Sequence, residues 1–230
     1  MMQLFESILS LFYPRICFAC GNSLYKNEEV ICTHCYFRLP KTNFHLLHDN
    51  PVSRAFWGRI EIESAAAFLY FSKGGNIQKL MHQFKYKGRR EIGVYLGKHF
   101  GYQLKKSRLF DGIDCIVPVP LHPRKQRIRG YNQSELIARG LAEALHVNLN
   151  KADLIRSRHS ESQTKKTRYE RWLNVGHVFR LREGHQLENM HVLLVDDVIT
   201  TGATLEACAK TIKEGCNAKV SIGTLAYADS

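Results

Sequence analysis

The chain has 230 residues, 44% of them hydrophobic and 10% aromatic, with a formal net charge of +12 and a pI near 9.5. This is enough apolar material for one large folded domain with an appendage, and a basic surface attracts anions without choosing among nucleic acid, phosphorylated small molecules and acidic partners. No apolar run reaches the roughly 18 residues of a membrane span, and the opening MMQLFESILSLFYP lacks a basic n-region, so the expected location is the cytoplasm.

The first four of seven cysteines fall as Cys17-Phe-Ala-Cys20 and Cys32-Thr-His-Cys35, with eleven residues between the pairs. In a reducing compartment two such pairs point to four thiolates closing around a structural Zn²⁺, with Gly21 allowing the turn after the first pair. Two disulfides, or unrelated cysteines in a core, are the alternatives, and His34 could replace one cysteine as ligand. His45 and His48 are expected to be exposed loop residues, and Leu39 to Pro51 reads as a linker. The chain therefore divides into a four-cysteine module at 1–50 and a larger domain at 51–230.

From about Ile60 the pattern alternates β and α. Glu61 to Phe71 is strand-like near its end, and Ile77 to Tyr86 and Ile92 to Lys106 place apolar residues at helical spacing. Ile113 to Val119 is a short buried-strand pattern followed by a basic loop, and Gln133 to Leu145 is helical. His191 to Val195, Ala203 to Lys213 and Lys219 to Ala226 then read as strand, helix, strand. The fold class is α/β, a mostly parallel sheet flanked by helices, in which ligands bind at the carboxyl ends of strands. Cys115, Cys208 and Cys216 read as core positions.

VLLVDDVITTGATLE, Val192 to Glu206, is the most informative stretch. Asp196 and Asp197 at a strand end are acceptors suited to the paired hydroxyls of a ribose. The turn Thr200-Thr201-Gly202-Ala203-Thr204, entered through Val198, presents backbone N–H groups and hydroxyls at a helix N-terminus, where a phosphate binds. The stretch resembles the signature of type I phosphoribosyltransferases, which bind 5-phosphoribosyl 1-pyrophosphate (PRPP).

A second loop follows Val117-Pro118-Val119-Pro120 and crowds Arg124, Lys125, Arg127 and Arg129 with no acid before Glu135. In the phosphoribosyltransferase fold the loop after this strand contacts pyrophosphate, whose charge the cluster matches. The polar, basic segment Arg156 to Phe179, with Gln163, Arg168, Arg171 and Asn174, reads as a lid that would keep water from an activated sugar.

The double C-x-x-C, V-P-V-P, R-G-Y-N-Q at Arg129 to Gln133, Q-x-x-x-x-R-x-x-R-x-x-N from Gln163 to Asn174, and VLLVDDVITTGATL resemble the ComF family of competence-associated phosphoribosyltransferase-like proteins. The resemblance implies a zinc ribbon before a type I phosphoribosyltransferase fold, PRPP with Mg²⁺ as ligand, and in several bacteria a part in natural transformation by single-stranded DNA. One departure is in the lid: Thr164 follows Gln163, where a preceding threonine is expected.

As an enzyme, the chain would hold the ribose with Asp196 and Asp197, the 5-phosphate with Thr200 to Thr204, and pyrophosphate with Mg²⁺ and the basic loop, without a protein nucleophile. A competing reading makes it a single-stranded-DNA-binding module using Lys73 to Arg90, where Lys79, Lys85, Lys87, Arg89 and Arg90 interleave with Phe84 and Tyr86. A third makes PRPP an effector that alters binding to DNA or to competence-machinery proteins. No glutaminase domain fits, so an amidotransferase is not expected.

Overall fold

A computed structural model describes residues 14–72, 74–156 and 178–228. Its first unit is the cysteine knuckle. Cys17 N donates to Asn22 O at 2.8 Å and Gly21 N to Cys17 O at 2.8 Å, a turn that needs the left-handed φ of +83° at Gly21. The second pair opens α1 (Thr33–Phe37), whose N-cap is Cys32.

Leu39 to Pro51 is not a linker. Thr42 N donates to Phe68 O at 3.1 Å and Tyr70 N to Pro40 O at 2.8 Å, so this segment covers the outer edge of the first sheet strand, β1 (Ala65–Tyr70). Buried Asn50 caps the short α2 (Pro51–Arg54) and donates to Ala65 O at 2.8 Å. His45 is likewise buried, against the expectation of an exposed loop residue, and burial and then Lys106 push its pKa down. His48 is exposed as expected.

After β1 come α3 (Asn76–Tyr86) and α4 (Glu91–Leu104), then β2 (Cys115–Pro118). The loop expected after β2 contains a helix, α5 (Pro123–Arg129), followed by α6 (Gln133–Leu145) and the edge strand β3 (Asn148–Leu149). A small antiparallel pair, β4 (Leu154–Arg156) and β5 (Phe179–Leu181), precedes β6 (His191–Ile199), α7 (Ala203–Gly215) and β7 (Lys219–Tyr227).

The main sheet has the order β1-β7-β6-β2-β3, and all its pairs are parallel. Ile77, Leu80, Met81 and Phe84 turn α3 inward at the helical spacing of the sequence, and Cys115, Cys208 and Cys216 are buried as expected. α4 and α6 pack with their backbones in contact, since a Cβ at Gly97 would lie 2.2 Å from Ile137 O and one at Gly140 2.1 Å from Val94 O. The direction in which successive strands are added reverses between β2 and β6: from β2 the chain steps outward to β3, from β6 the opposite way to β7. That switch point makes a crevice at the carboxyl ends of β2 and β6, where an open α/β sheet binds ligands.

Candidate functional site

Strand β6 extends four residues beyond Val195, the last residue paired with β2, so Asp196 and Asp197 lie within a strand beside this crevice. Val119 N donates to Val195 O at 2.8 Å, which binds the exit of β2 to the residue just before the acidic pair. The sequence presents the two carboxylates as open acceptors, whereas the structure gives each an internal partner. Ser134, in the first turn of α6, donates its hydroxyl to Asp196 Oδ1 at 2.8 Å, and the Asp197 N–H donates to the same oxygen at 2.8 Å. Lys85 at the end of α3 pairs with Asp197 Oδ2 at 2.8 Å, with only 20% and 16% of the two side chains exposed. Lys85 therefore belongs to this site and not to a basic outer surface.

Burial, then repulsion from Asp197, raises the Asp196 carboxyl from 3.8 to about 7, against the opposing hydrogen bonds from Asp197 and Ser134 and the charge of Lys85. A raised carboxyl binds its proton more tightly in the folded chain. Its stabilisation is complete below the unfolded value and is lost as pH rises through about 7. The thermal midpoint is thus expected to fall between about pH 4 and about pH 8, and Asp196→Asn should flatten that fall. Paired melting curves across the range check it, and identical slopes in both proteins refute it.

The turn after β6 is shaped to accept an anion. Thr200, Thr201, Ala203 and Thr204 are exposed, while Gly202 is buried with φ +75°. Gly202 caps α7 without a side chain, and the first intrahelical bond runs from Glu206 N to Gly202 O at 2.9 Å. The first-turn N–H groups thus border an open concavity of about 250 Å³, lined by Asp196, Val198, Ile199 and Thr200 to Leu205. A side chain at Gly202 would be strained by its φ and would press on the Phe56 ring at 3.2 Å.

Arg59 is part of this site and was missed by sequence reasoning. Its guanidinium donates to Thr201 O and Ala55 O, both at 3.0 Å, and pairs with Glu206 in the first turn of α7. The C=O and N–H of a trans peptide point in opposite directions, so holding Thr201 O turns the Gly202 N–H away from Arg59. The contacts span 142 and 147 residues of sequence, and no local pattern announces them.

The basic loop is more ordered than its sequence reads. His122 Nδ1 accepts from Arg124 N at 3.1 Å, Pro123 opens α5, and Gly130 closes it with φ +75°. α5 buries no side chain, and Arg124, Lys125 and Arg127 are exposed. Arg129 instead donates to Gln133 Oε1 at 2.8 Å and lies 5.6 Å over the Tyr86 ring. Tyr131 donates to Phe84 O, and Asn132 both caps α6 and donates to Val119 O at 3.0 Å. The R-G-Y-N-Q run therefore ties the loop to α3 and α6. The lid residues Gln163, Arg168, Arg171 and Asn174 lie outside the described residues.

At the amino-terminal end, the Sγ atoms of Cys17, Cys20, Cys32 and Cys35 all lie within 4.8 Å of one another, with Cys20 and Cys32 3.8 Å apart. A tetrahedral ion with Zn–S bonds of about 2.3 Å sets its sulfurs about 3.8 Å apart, so the donor set fits zinc. Cys32 N also donates to Cys17 Sγ at 3.3 Å and Cys35 N to Cys32 Sγ at 3.5 Å, contacts that suit thiolates. His34 is outside the cluster, its Nε2 3.4 Å from Arg38.

The strand order, the switch-point crevice and the acidic pair before a Thr/Gly turn define a type I phosphoribosyltransferase fold, and residues 132–230 match the phosphoribosyl transferase domain model. Escherichia coli K12 DNA utilization protein YhgH is 28% identical over 225 residues, covering 94% of this chain and 92% of that protein. Bacillus subtilis competence protein ComFC is 28% identical over 214 residues, covering 92% and 83%. A Bacillus subtilis glutamine PRPP amidotransferase structure, complexed with ADP and GMP, is similar over 61% of this chain and 30% of its own, with 20% identity and a TM-score of 0.42. The sequence likenesses support the resemblance to the ComF family.

Proposed function

We propose that this protein binds PRPP with Mg²⁺ at the β6–α7 turn and serves the handling of DNA for which its relatives are named, as a cytoplasmic phosphoribosyltransferase-type protein with a structural zinc. The observation that carries the reading is the juxtaposition of an acidic pair with a helix N-terminus capped by glycine alone, at the switch point of the sheet. The turn Thr200 to Thr204 takes the 5-phosphate through N–H groups and hydroxyls. Asp196 and Asp197 take the ribose hydroxyls, exchanging the internal contacts from Ser134 and Lys85 for those of the ligand. Arg124, Lys125 and Arg127 face the pyrophosphate, and Arg129 holds their helix to Gln133. Gln163, Arg168 and Arg171 supply the cover that keeps water out.

Mg²⁺, when bound, would neutralise the pyrophosphate charge; Asp196 and Asp197 and the ligand's own oxygens supply the hard donors it requires. The chain itself positions C1, withdraws its substituent's charge into the basic loop, and provides no nucleophile of its own. Calorimetric titration of the zinc-loaded chain with PRPP and Mg²⁺ tests this. Saturable binding is expected, and its absence in a folded, zinc-loaded sample rejects the reading.

A second reading has one observation in its favour. Tyr86 is 61% exposed beneath Arg129, and Lys79, Lys87, Arg89 and Arg90 are exposed nearby on α3 and the turn that follows. Charge and an accessible ring suit single-stranded DNA. Because Lys85 faces Asp197, charge reversal at Lys87 and Arg89 is the proper test. Binding to an oligothymidylate should then weaken by at least about tenfold and lose part of its salt dependence. An unchanged salt slope counts against this surface.

A further inference from the structure

Among the residues lining the concavity after β6, one is ionisable, the acid Asp196, and none is a lysine or arginine. Its N–H groups and hydroxyls are neutral donors, so the charges standing beside the turn weigh on any phosphate held there. Two such charges are in place. Glu206 is the acid in the first turn of α7, and a carboxylate near a bound phosphate opposes it. Arg59 pairs with Glu206 and, through the other arm of the same guanidinium, donates to Thr201 O at 3.0 Å. The pair is therefore fastened to the turn itself. Both side chains are partly shielded from solvent, which limits screening.

The position of Arg59 is built by the fold. The segment from Ala55 to Arg59 leaves α2 as a turn, with Arg59 N donating to Phe56 O at 3.0 Å. Fully buried Phe56 lies against Gly202, and Ala55 O takes a second bond from the Arg59 guanidinium at 3.0 Å. Both Nη atoms of Arg59 are thus engaged with protein groups.

We infer, on the phosphoribosyl reading given above, that the Arg59–Glu206 pair sets the affinity of the turn for a phosphate dianion. Arg59 is a positioning residue: it cancels the Glu206 carboxylate and keeps it off the ligand, without touching the ligand itself. It lies outside residues 132–230, the stretch that matches the domain model. The pair is neutral as it stands. Loss of the Arg59 guanidinium alone leaves one negative charge beside the turn, loss of the Glu206 carboxylate alone leaves one positive charge, and loss of both restores neutrality. The single changes therefore act with opposite signs, and a purely structural role for the pair gives them the same sign.

The test is calorimetric titration of the full zinc-loaded chain with ribose 5-phosphate, which engages the turn without pyrophosphate. Arg59→Gln is expected to weaken binding about tenfold, Glu206→Gln to tighten it about threefold, and the double variant to return to within about twofold of the native chain. Arg59→Lys, which keeps the charge, should stay within about threefold, and the gain in Glu206→Gln should shrink as salt rises. Melting curves establish that each variant folds, and Glu206→Gln tests the sign even where Arg59→Gln is unstable. Weaker binding by Glu206→Gln, unchanged binding by both single variants, or a defect in Arg59→Gln that the second substitution does not relieve overturns the inference. Failure of the native chain to bind either ribose 5-phosphate or PRPP rejects the phosphoribosyl reading, and the role of the pair with it.

Discussion

Replacing Asp196 and Asp197 together by asparagine should weaken PRPP binding in the presence of Mg²⁺ by at least about 100-fold. Each carboxylate offers charge-assisted hydrogen bonds to a ribose hydroxyl, worth roughly 1.5–3 kcal/mol apiece, and about 1.4 kcal/mol corresponds to tenfold in affinity. The two single variants should differ. Asp197→Asn also strands the Lys85 ammonium, which is mostly buried in the contact, so it should cost stability as well as affinity. Asp196→Asn removes a carboxyl raised to about 7, so only partly ionised at neutral pH, and the amide can still accept from Ser134. Its folding cost should be the smaller, and its binding defect should deepen as pH rises and the native carboxyl ionises. Calorimetry with denaturation curves on all three variants separates these effects. Undiminished PRPP binding by a folded double variant would show that the acidic pair is not the ribose site.

Removal of zinc should have the largest effect on folding. Structural zinc contributes apparent free energies of roughly 10–16 kcal/mol in small cysteine modules, more than the stability of most domains, so the knuckle should not persist without it. The module is also joined to the larger domain. Gln83 donates to Phe18 O, Arg89 lies 4.9 Å over the Phe18 ring, and Tyr36 packs on His99 at 4.5 Å. Loss of the metal should therefore loosen the packing of the knuckle on α3 as well. One zinc per chain is expected by metal analysis, falling below about 0.1 in Cys17→Ser. Amide exchange across 17–35 should then rise by orders of magnitude, spreading to α3, while β6 and α7 stay protected. A metal-free chain with full protection at 17–35 would show that packing alone holds the knuckle.

The sequence by itself determined the parts whose physics is local. Hydrophobic runs bounded by turn residues define β2, β6 and β7, and helical spacing places α3, α4 and α6, the last with the expected bounds. Asp196, Asp197 and the Thr200 to Thr204 turn are contiguous, and so are the knuckle cysteines within each pair, so both constellations were legible before any fold was known. α5 was readable in principle from His122 as cap, Pro123 at the first position and Gly130 at the end. It passed for loop because it buries nothing and carries no apolar stripe.

Only the tertiary structure decided what those residues meet. Lys85 and Asp197 are far apart in sequence, as are Arg59 and Thr201, and their contacts exist because α3 and the Ala55–Arg59 turn are packed against the carboxyl end of β6. Burial of His45, and the conversion of Leu39 to Pro51 from linker to edge cover, depend on β1 needing a neighbour for its unpaired backbone groups. Residue order dictates propensity and motif, because these depend on neighbours a few positions away. Partner choice across the crevice is a property of the packed sheet and its crossovers, which bring together side chains no local pattern relates.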